Sequence, residues 1–447
     1  MERKFILVVG AGRSSSSLIS YLLAQAATYN WTVTVGDVSL EAAQRRVGKS
    51  PYGKAVQFNM DDHERSRNLI EASDVVISMM PAHLHPRVAE ICLAEKRHLL
   101  TASYVSDEMK AFDSQAKAND LLFLNECGLD PGFDHMSAML LIDRIKSKGG
   151  MLTSFESFTG GLIAPETDPE NPWRYKFTWN PRNIVMAGQG TAKFLQEGNF
   201  KFIPYQQLFL RTTPVSVPGF GEYEGYANRD SLKYLETYGL KGIRTMLRGT
   251  LRNKGFCKTW NVLVQLGCCE DTYQMEGVAN MTHAGFMDSF LDGRSSASSP
   301  EEKVMNLFNL SKGDDVMTKL RWSSLFSDEK IGLLTGTPAQ ILEHILNKRW
   351  NLAPGDKDFI VMWHRFVYEI GNTSKEIQAH LTVVGEDEVN TAMAKTVGLP
   401  LAISAKLLLE GKIKTRGVVI PVQRDIYIPV LEELSEHGIT LIDREID

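Results

Sequence analysis

A glycine-containing turn that directly follows a short apolar run constrains the fold of this chain more than any other feature of its sequence. Residues 5–9 read FILVV, and the run GAGRSS follows at positions 10–15. A strand that passes through Gly-x-Gly into a helix is typical of dinucleotide-binding folds, because the glycines allow a tight turn and a close approach of the pyrophosphate. The helix N-terminus then directs amide groups and a partial positive charge toward the phosphates.

The residues of this turn are the first predicted cofactor ligands. The third motif position is serine, where glycine or alanine is usual, and this predicts a slightly looser contact between helix and strand. A purely structural glycine turn is the alternative, which the position directly after a strand disfavours. We therefore predict dinucleotide contacts from Gly10, Gly12, Arg13, Ser14 and Ser15.

A carboxylate ends the second predicted strand. Residues 31–35 form that strand, and Gly36 and Asp37 follow it. A carboxylate at this place can accept both ribose hydroxyls of NAD and would repel the 2′-phosphate of NADP, which predicts NAD as the preferred cofactor, with NADP as the other possibility. Alternatively, Asp37 caps the next helix, although Ser39 could do so instead. Arg45 and Arg46 lie further along that helix and are expected on a solvated face.

The first third of the chain continues to alternate between strand and helix patterns. Further strands are predicted at 55–58, 74–79, 98–102 and 121–124, which indicates a parallel sheet with right-handed crossovers. Ligands bind at the carboxyl ends of such strands, so the cofactor is also expected to meet Asp61, Met80 and Pro81. His83 and His85 have a spacing that could suggest a metal. Since no further ligand cluster accompanies them, we favour loop and helix-start roles and predict no metal.

Length and composition bound the remaining classes of protein. A chain of 447 residues predicts two or three domains. Its net charge of −5 and pI of about 6.1 argue against a nucleic-acid partner. The N-terminal apolar run is too short for a membrane span or a signal-peptide core, so no membrane partner is expected. Five cysteines without CxxC spacing predict a reduced, cytoplasmic protein.

Beyond residue 130 the pattern becomes mixed. Strand and turn signals extend to about 230, helical signals dominate from about 255 to 350, and a hairpin pattern covers 358–385. A long helix is predicted over 386–409, interrupted at Pro400, because proline removes a backbone hydrogen bond. This part of the chain is therefore expected to hold a mixed α/β substrate domain.

Several motifs carry a family resemblance that covers most of the chain. They read TASYV at 101–105, GLDPGFDH at 128–135, YKFTWNP at 175–181, NRDSL at 228–232 and RGTLR at 248–252. In this order they resemble the glutamate-forming saccharopine dehydrogenases. The similarity is to the dehydrogenase half of the bifunctional aminoadipic semialdehyde synthases of plants and animals, and to the fungal saccharopine reductases. Unlike this chain, the fungal enzymes carry an arginine at the end of the second strand.

The resemblance implies an α/β fold with three parts. These are a doubly wound Rossmann domain (1–130 with 395–447), a mixed-sheet substrate and dimerisation domain (131–254 with 351–394), and an all-helical insertion (255–350). It implies a homodimer that acts on a small molecule. The implied reaction interconverts saccharopine, oxidised nicotinamide cofactor and water with L-glutamate, 2-aminoadipate 6-semialdehyde and reduced cofactor, which makes the chain an oxidoreductase of lysine metabolism.

The resemblance also implies which residues bind the substrate, and their chemistry suits it. Three substrate carboxylates call for guanidinium groups, and Asp130 suits a substrate ammonium. Alternatively, each arginine forms a surface salt bridge, and Asp130 caps a helix that starts at Pro131. The implied substrate contacts are Ser103, Tyr104, Asp130, Arg229, Arg248, Gly249 and Thr250. Further cofactor contacts are expected from Leu129 and Asp130, and from Lys176, which follows a Gly/Pro-rich loop and could reach the nicotinamide or a carboxylate. For proton transfer the candidates are Asp130, Tyr104 or a bound water.

Two other functions remain open from the sequence. Carboxynorspermidine dehydrogenase and homospermidine synthase share this fold and also make or break secondary amines, but they do not need three carboxylate anchors. A non-catalytic NAD-binding regulator is the alternative from a different class. Retention of the whole set of implied substrate residues argues against the regulator, and an activity assay separates the two.

Overall fold

The computed structural model describes residues 2–294 and 296–446, which form two compact units. Unit 1 comprises Met1–Met151, Ile370–Thr373 and Leu381–Asp443. Unit 2 comprises Leu152–Glu369, Ser374–His380 and Arg444–Asp447. The three-domain division expected from the sequence stays a prediction.

The strands of the described residues range from two residues to the long β7, β15 and β16 of the mixed sheet. They are β1 (Lys4–Val9), β2 (Trp31–Asp37), β3 (Gly53–Gln57), β4 (Val75–Ser78), β5 (His98–Thr101), β6 (Leu122–Leu124), β7 (Met151–Ile163), β8 (Ala192–Gln196), β9 (Asn199–Ile203), β10 (Thr213–Val217), β11 (Gly221–Ala227), β12 (Thr245–Asn253), β13 (Met275–Glu276), β14 (Thr335–Gly336), β15 (Asp358–Ile370), β16 (Thr373–Val384), β17 (Gly417–Val419) and β18 (Ile442–Ile446).

Helices connect most of these strands. They are α1 (Ser16–Tyr29), α2 (Leu40–Val47), α3 (His63–Glu71), α4 (His85–Ala94), α5 (Asp107–Ala111), α6 (Asp113–Ala118), α7 (Phe133–Ser147), α8 (Pro181–Val185), α9 (Tyr205–Leu208), α10 (Tyr234–Thr237), α11 (Phe256–Leu266), α12 (His283–Asp288), α13 (Pro300–Phe308), α14 (Asp315–Trp322), α15 (Pro338–Trp350), α16 (Ala392–Leu409) and α17 (Arg424–Glu436).

Unit 1 is built on a seven-stranded parallel sheet. Its order is β17-β6-β5-β4-β1-β2-β3, and every adjacent pair runs parallel. From β6 to β3 this is the doubly wound dinucleotide-binding order, with the reversal of strand order at β1 and β4. All four residues of β4 are buried, as expected of a strand covered on both faces. The predicted α/β fold with a doubly wound sheet is therefore confirmed.

The seventh strand comes from the C-terminal part of the chain. Strand β17 pairs with β6 through Gly417↔Leu122, Val418↔Phe123 and Val419↔Leu124. The pattern of residues 417–419 does not predict this strand, since three residues are too few for an alternation to be recognised.

Helix α16 differs from its prediction. It begins at Ala392 rather than at 386 and runs without interruption through Pro400 to Leu409. Packing against α1 and α17 outweighs the hydrogen bond that the proline removes. The helix is long and apolar enough to cross a membrane by length and composition, but 78% of it is buried within the protein, as is usual for a core helix.

The larger sheet of the second half is mixed. Its order is β10-β11-β12-β7-β15-β16-β18, with β8 and β9 attached beside β12. Strands β10, β11 and β12 are antiparallel, whereas β12 and β7 are parallel. Helices α11 to α15 follow β12, and their apolar faces form one core with Trp173, Trp260 and Trp350. This arrangement places the end of β11 beside the middle of β12, next to residues 158 and 159 of β7.

Candidate active site

The glycine-rich turn of unit 1 has the shape that a dinucleotide requires. Gly10 has φ +105°, and a Cβ atom there would lie 2.9 Å from the backbone carbonyl carbon and oxygen of Met79. A Cβ atom at Gly12 would meet nothing within 4 Å, so the loop is open on that side. A short 3-10 turn, Arg13–Ser15, then leads into α1. Arg13 and Gly12 are exposed, and Ser14 is partly buried. This open cradle at a helix N-terminus fits a pyrophosphate.

Ser15 completes the turn from within. It is 1% exposed, and its hydroxyl donates to the carbonyl oxygen of Gly12 at 2.9 Å. This hydrogen bond stabilises the turn at a position where the usual motif has glycine or alanine, which have no polar side chain.

The carboxylate of Asp37, predicted to bind the cofactor ribose, already has hydrogen-bond partners within the protein. One carboxylate oxygen accepts the N–H of Ala11 at 2.7 Å, and the other accepts the N–H of Ser39 at 2.9 Å. Ser39, not Asp37, caps α2 by accepting the N–H of Ala42. Each oxygen of Asp37 therefore already accepts one backbone N–H, from the glycine-rich turn on one side and from the start of α2 on the other.

Arg46 corrects the prediction of a solvated face. Its guanidinium donates to the carbonyl oxygens of Gly12 at 3.0 Å and of Ala11 at 3.4 Å. Burial, and secondarily the charge of Arg45, lowers its pKa. Arg45 does face solvent, where it pairs with Glu41 at 2.7 Å. One arginine of the pair thus borders the glycine-rich turn and the other does not.

The remaining predicted cofactor contacts of unit 1 lie at the same sheet edge. Met80 and Pro81 follow β4, and Met80 packs against the core below the sheet. Asp61 is exposed, and Arg87 pairs with it at 3.2 Å. Its carboxylate therefore already has a cationic partner.

A buried histidine links three hydroxyls at this edge. His85 Nδ1 lies 2.9 Å from Ser78 Oγ, and His85 Nε2 lies 2.8 Å from Ser103 Oγ and 3.1 Å from Thr101 Oγ1. The side chain of His85 is the first of α4, and the residue is 3% exposed. Desolvation, with a smaller contribution from His83, lowers the pKa of His85 to about 4. The imidazole is therefore neutral near pH 7.

A buried glutamate holds the same loop from the other side. Glu126 accepts the N–H of Val105 at 3.0 Å and donates its own N–H to the carbonyl oxygen of Ser103 at 3.0 Å. Its second carboxylate oxygen lies 2.8 Å from His135 Nε2. Glu126 and His135 are 2% and 0% exposed. The segment 103–105 is thus fixed by polar groups that the sequence did not single out.

Asp130 lies in a tight loop rather than at a helix cap. Helix α7 begins at Phe133, its N-cap is Gly132, and no side chain caps it. The expectation that Asp130 caps a helix starting at Pro131 is therefore wrong. The Asp130–Pro131 peptide is cis, and the Gly128 N–H donates to the Pro131 carbonyl at 2.9 Å. Leu129 is 4% exposed.

The carboxylate of Asp130 lies near a second predicted site residue. Its Oδ1 is 3.5 Å from the hydroxyl of Tyr104, and Tyr104 follows Ser103 in the loop after β5. Three of the predicted substrate contacts, Ser103, Tyr104 and Asp130, are thus brought together at the carboxyl ends of β5 and β6.

Unit 2 brings the predicted arginine segments together on neighbouring strands. The Asn228 N–H donates to the Arg248 carbonyl at 2.9 Å, where β11 and β12 pair. Arg229 follows β11 and is exposed, with φ +51°. Arg248 is 6% exposed, and its guanidinium lies 4.3 Å from the centre of the Tyr234 ring. It is therefore not the surface salt bridge that was the alternative for it.

The remaining two predicted contacts follow Arg248 along β12. Gly249 pairs with Ala227 of β11 and with Phe158 of β7, and Thr250 pairs with Thr159 of β7. Thr250 is partly buried. The segments around 159, 229 and 249 are thus side by side.

Lys176 does not fit the predicted cofactor contact. Its ammonium, in unit 2, pairs with Asp356 at 2.7 Å and with Asp168 at 2.8 Å, and the residue is 5% exposed. Burial alone would lower its pKa, but the hydrogen bonds that the ammonium donates to the two carboxylates, together with their charges, outweigh this and raise it. A buried ammonium between two carboxylates is a structural ion pair, and we remove Lys176 from the cofactor set.

Comparison with known proteins identifies the family. The family model described as the saccharopine dehydrogenase NADP binding domain matches residues 6–124, and the model of the saccharopine dehydrogenase C-terminal domain matches residues 128–439. The chain belongs to the saccharopine dehydrogenase family. The resemblance expected from the sequence is thereby confirmed.

Relatives of this saccharopine dehydrogenase family member extend over its whole length. The NADP(+), L-glutamate-forming saccharopine dehydrogenase of Saccharomyces cerevisiae is 30% identical over 99% of each chain. The mitochondrial alpha-aminoadipic semialdehyde synthase of Rattus norvegicus is 35% identical over 98% of this chain, which spans only 47% of the rat protein. The solved apo form of the L-Glu forming yeast enzyme matches with a TM-score of 0.88, at 29% identity, and covers 99% of this chain and 100% of its own.

The comparisons count against the predicted cofactor preference. The matched N-terminal family model is named for NADP, and so are the fungal relatives. A nicotinamide cofactor is therefore supported, but NAD as the preferred form is not. In addition, the carboxylate of Asp37 already accepts two backbone N–H groups, which the sequence rule for a ribose ligand does not count.

The remaining features are the side chains that could ligate a metal and the cysteines. Within residues 2–294 and 296–446, no group of three or more His, Cys, Asp or Glu side chains could hold a metal ion. All five cysteines are buried free thiols. The predicted cytoplasmic location and homodimer stay predictions.

Proposed function

We propose that this chain oxidises saccharopine to an imine, with NADP as the hydride acceptor, and that water hydrolyses this imine to L-glutamate and 2-aminoadipate 6-semialdehyde. The observation that carries the proposal is the edge of the unit 1 sheet. There an open glycine-rich cradle stands beside a loop whose Ser103, Tyr104 and Asp130 are held by buried polar groups. A substrate that loses hydride must lie at the nicotinamide end of such a cradle, at the carboxyl ends of the strands.

Each group of proposed site residues would bind one part of the cofactor or the substrate. Gly10, Gly12 and the amides of the 3-10 turn would hold the pyrophosphate. When bound, the nicotinamide accepts hydride from the carbon beside the substrate amine. Asp130 and Tyr104 are the groups proposed to hold the amine and to exchange its proton, since their oxygens already lie 3.5 Å apart. Arg229 and Arg248 would pair with substrate carboxylates, because guanidinium forks bind carboxylates in a fixed orientation.

Absorbance at 340 nm tests the reaction directly. Purified protein would be mixed with saccharopine and with NADP or NAD in parallel. We expect a rise that is faster with NADP. A rise mainly with NAD would reject the cofactor assignment and keep the substrate. No rise with either cofactor would reject the proposal, and carboxynorspermidine would be the next substrate to try.

Arg46 is predicted to determine the cofactor preference. Its guanidinium lies beside the glycine-rich turn, in addition to Arg13 within the turn, so we expect Arg46→Gln to lower kcat/KM with NADP by about 10- to 100-fold, the range of a hydrogen bond to a charged group. With NAD, which lacks the 2′-phosphate, the change should be several-fold smaller. Initial rates with both cofactors measure this difference.

Arg45→Gln is the matched control, because it removes the same charge from the neighbouring, solvent-facing position. Its kcat/KM should stay within about twofold of the wild type, as a surface ion pair contributes little. Equal losses with NADP in the two variants would show that Arg46 acts only through overall charge.

Arg229 is predicted to bind a substrate carboxylate. We expect Arg229→Asn to raise KM for saccharopine by about 10- to 100-fold and to lower kcat less, because the lost ion pair forms in the ground state as well. Asparagine is chosen because it tolerates the left-handed backbone of this position, φ +51°.

Arg174→Asn provides the control for backbone and charge. Arg174 is also an exposed arginine of unit 2 with a left-handed backbone, φ +47°, and it is not among the proposed substrate contacts. Its KM should remain near the wild-type value. An unchanged KM in Arg229→Asn would remove Arg229 from the substrate site.

A further inference from the structure

The buried side chain of His85 joins two sheet strands to the proposed substrate loop. It reaches Ser78 at the end of β4, Thr101 at the end of β5, and Ser103 in the loop beyond β5. Nothing in the proposed reaction uses it, because it is 3% exposed and lies behind Ser103. Its contacts therefore need an explanation of their own.

The contacts of Ser103 show what His85 adds. The Ser103 N–H donates to Thr101 Oγ1 at 3.2 Å, and the Ser103 carbonyl accepts the Glu126 N–H at 3.0 Å. These two bonds fix the backbone but leave χ1 of the serine free to choose among staggered rotamers. The 2.8 Å contact with His85 Nε2 is what selects one position for the hydroxyl.

The neutral imidazole also determines what the hydroxyl can offer. A neutral histidine has one donor and one acceptor nitrogen. If Nε2 carries the proton, it donates to Ser103, and the serine hydrogen is available to a substrate carboxylate. If Nδ1 carries the proton, Ser103 donates to Nε2 and presents lone pairs to a substrate amine. In both cases the Ser103 hydroxyl uses one hydrogen bond for His85 and keeps another for a ligand.

We propose that His85 is a positioning residue, which fixes the hydroxyl of Ser103 for substrate and acts on the reaction only through that hydroxyl. The proposal rests on the proposed function, in which Ser103 contacts saccharopine. Ser78 supports His85 from the far side of the ring by holding Nδ1.

A double-mutant cycle tests this pathway of action. Ser103→Ala, His85→Gln and the double variant would be compared in kcat/KM for saccharopine at saturating cofactor. We expect about a 10-fold loss in each single variant. The double variant should match Ser103→Ala alone, because the hydroxyl on which His85 acts is already absent. A residue that only stabilises the fold would give the same factor in both backgrounds.

Three further measurements keep the outcome clear. Ser78→Ala leaves the imidazole in place and should cause a smaller loss of the same kind, which also disappears in the Ser103→Ala background. The Kd of reduced cofactor, measured by its fluorescence, should change less than twofold in every variant. Unfolding midpoints identify any variant that does not fold.

If His85→Gln lowers kcat/KM by the same factor in the Ser103→Ala background as in the wild type, the positioning role is overturned. Absence of wild-type turnover would instead reject the proposed function itself.

Discussion

Replacement of Gly132 by alanine is expected to lower the free energy of unfolding by about 4 kcal/mol or to prevent folding of the 128–135 loop. Gly132 has φ +146°, and a Cβ atom there would overlap backbone atoms of Gly128. Backbone atoms cannot rotate away as a side chain can, so the loop must open. The Gly128 N–H bond to Pro131 and the Phe133 N–H bond to Gly128 would then be lost. Steric overlap in a hydrogen-bonded core loop belongs to the few changes that cost this much.

Gly149→Ala separates this overlap from ordinary backbone strain. Gly149 follows the other end of α7 with φ +77°, and a Cβ atom there would meet nothing within 4 Å. Only the left-handed backbone penalises alanine at that position, at about 1–2 kcal/mol. Urea unfolding of both variants gives the comparison. Equal losses of stability would mean that the 128–135 loop relaxes around a side chain, and that its geometry is not fixed by close backbone contact.

Local patterns were sufficient to predict the framework of unit 1. The apolar run before Gly10 and the buried β4 are short-range signals of a parallel strand, and the structure has both as strands. The loop residues Ser103, Tyr104 and Asp130 could also be proposed from motifs, and they do meet at one sheet edge. By contrast, the sequence rule for Asp37 does not predict its backbone partners, because the N–H groups of Ala11 and Ser39 are brought to it by the fold.

The supporting residues could not be predicted, because their partners are distant in sequence. His85 reaches hydroxyls that are 7, 16 and 18 positions away, and the fold alone brings these together. A histidine two positions after another suggests a metal in sequence, whereas here a neutral ring links serine and threonine side chains. Glu126 similarly bonds backbone atoms of residues 103 and 105, which no spacing rule relates to it.

Acidification from pH 6.5 to pH 4 is expected to destabilise unit 1 through two histidines. Burial lowers the pKa of His85 to about 4, and burial followed by the charge of Arg416 lowers that of His98 to about 4, from an ordinary 6.5. His98 Nδ1 accepts the N–H of Leu122 at 3.0 Å, so protonation would remove a strand-edge hydrogen bond. The unfolded chain therefore binds more protons than the native protein between these pH values, and stability falls as pH falls.

The expected loss reaches about 3 kcal/mol for each histidine below pH 4, since one pKa unit corresponds to about 1.4 kcal/mol. Urea unfolding at pH 6.5, 5.75 and 5 isolates the histidines, because ordinary carboxylates are still ionised in that range. In His98→Asn, an amide oxygen can accept the Leu122 N–H without titrating. The slope of unfolding free energy against pH should then decrease by about 1 kcal/mol per pH unit, while stability at pH 7.5 changes little. A slope equal to that of the wild type would mean that His98 titrates alike in the folded and unfolded chain, and that burial and the charge of Arg416 do not hold it neutral.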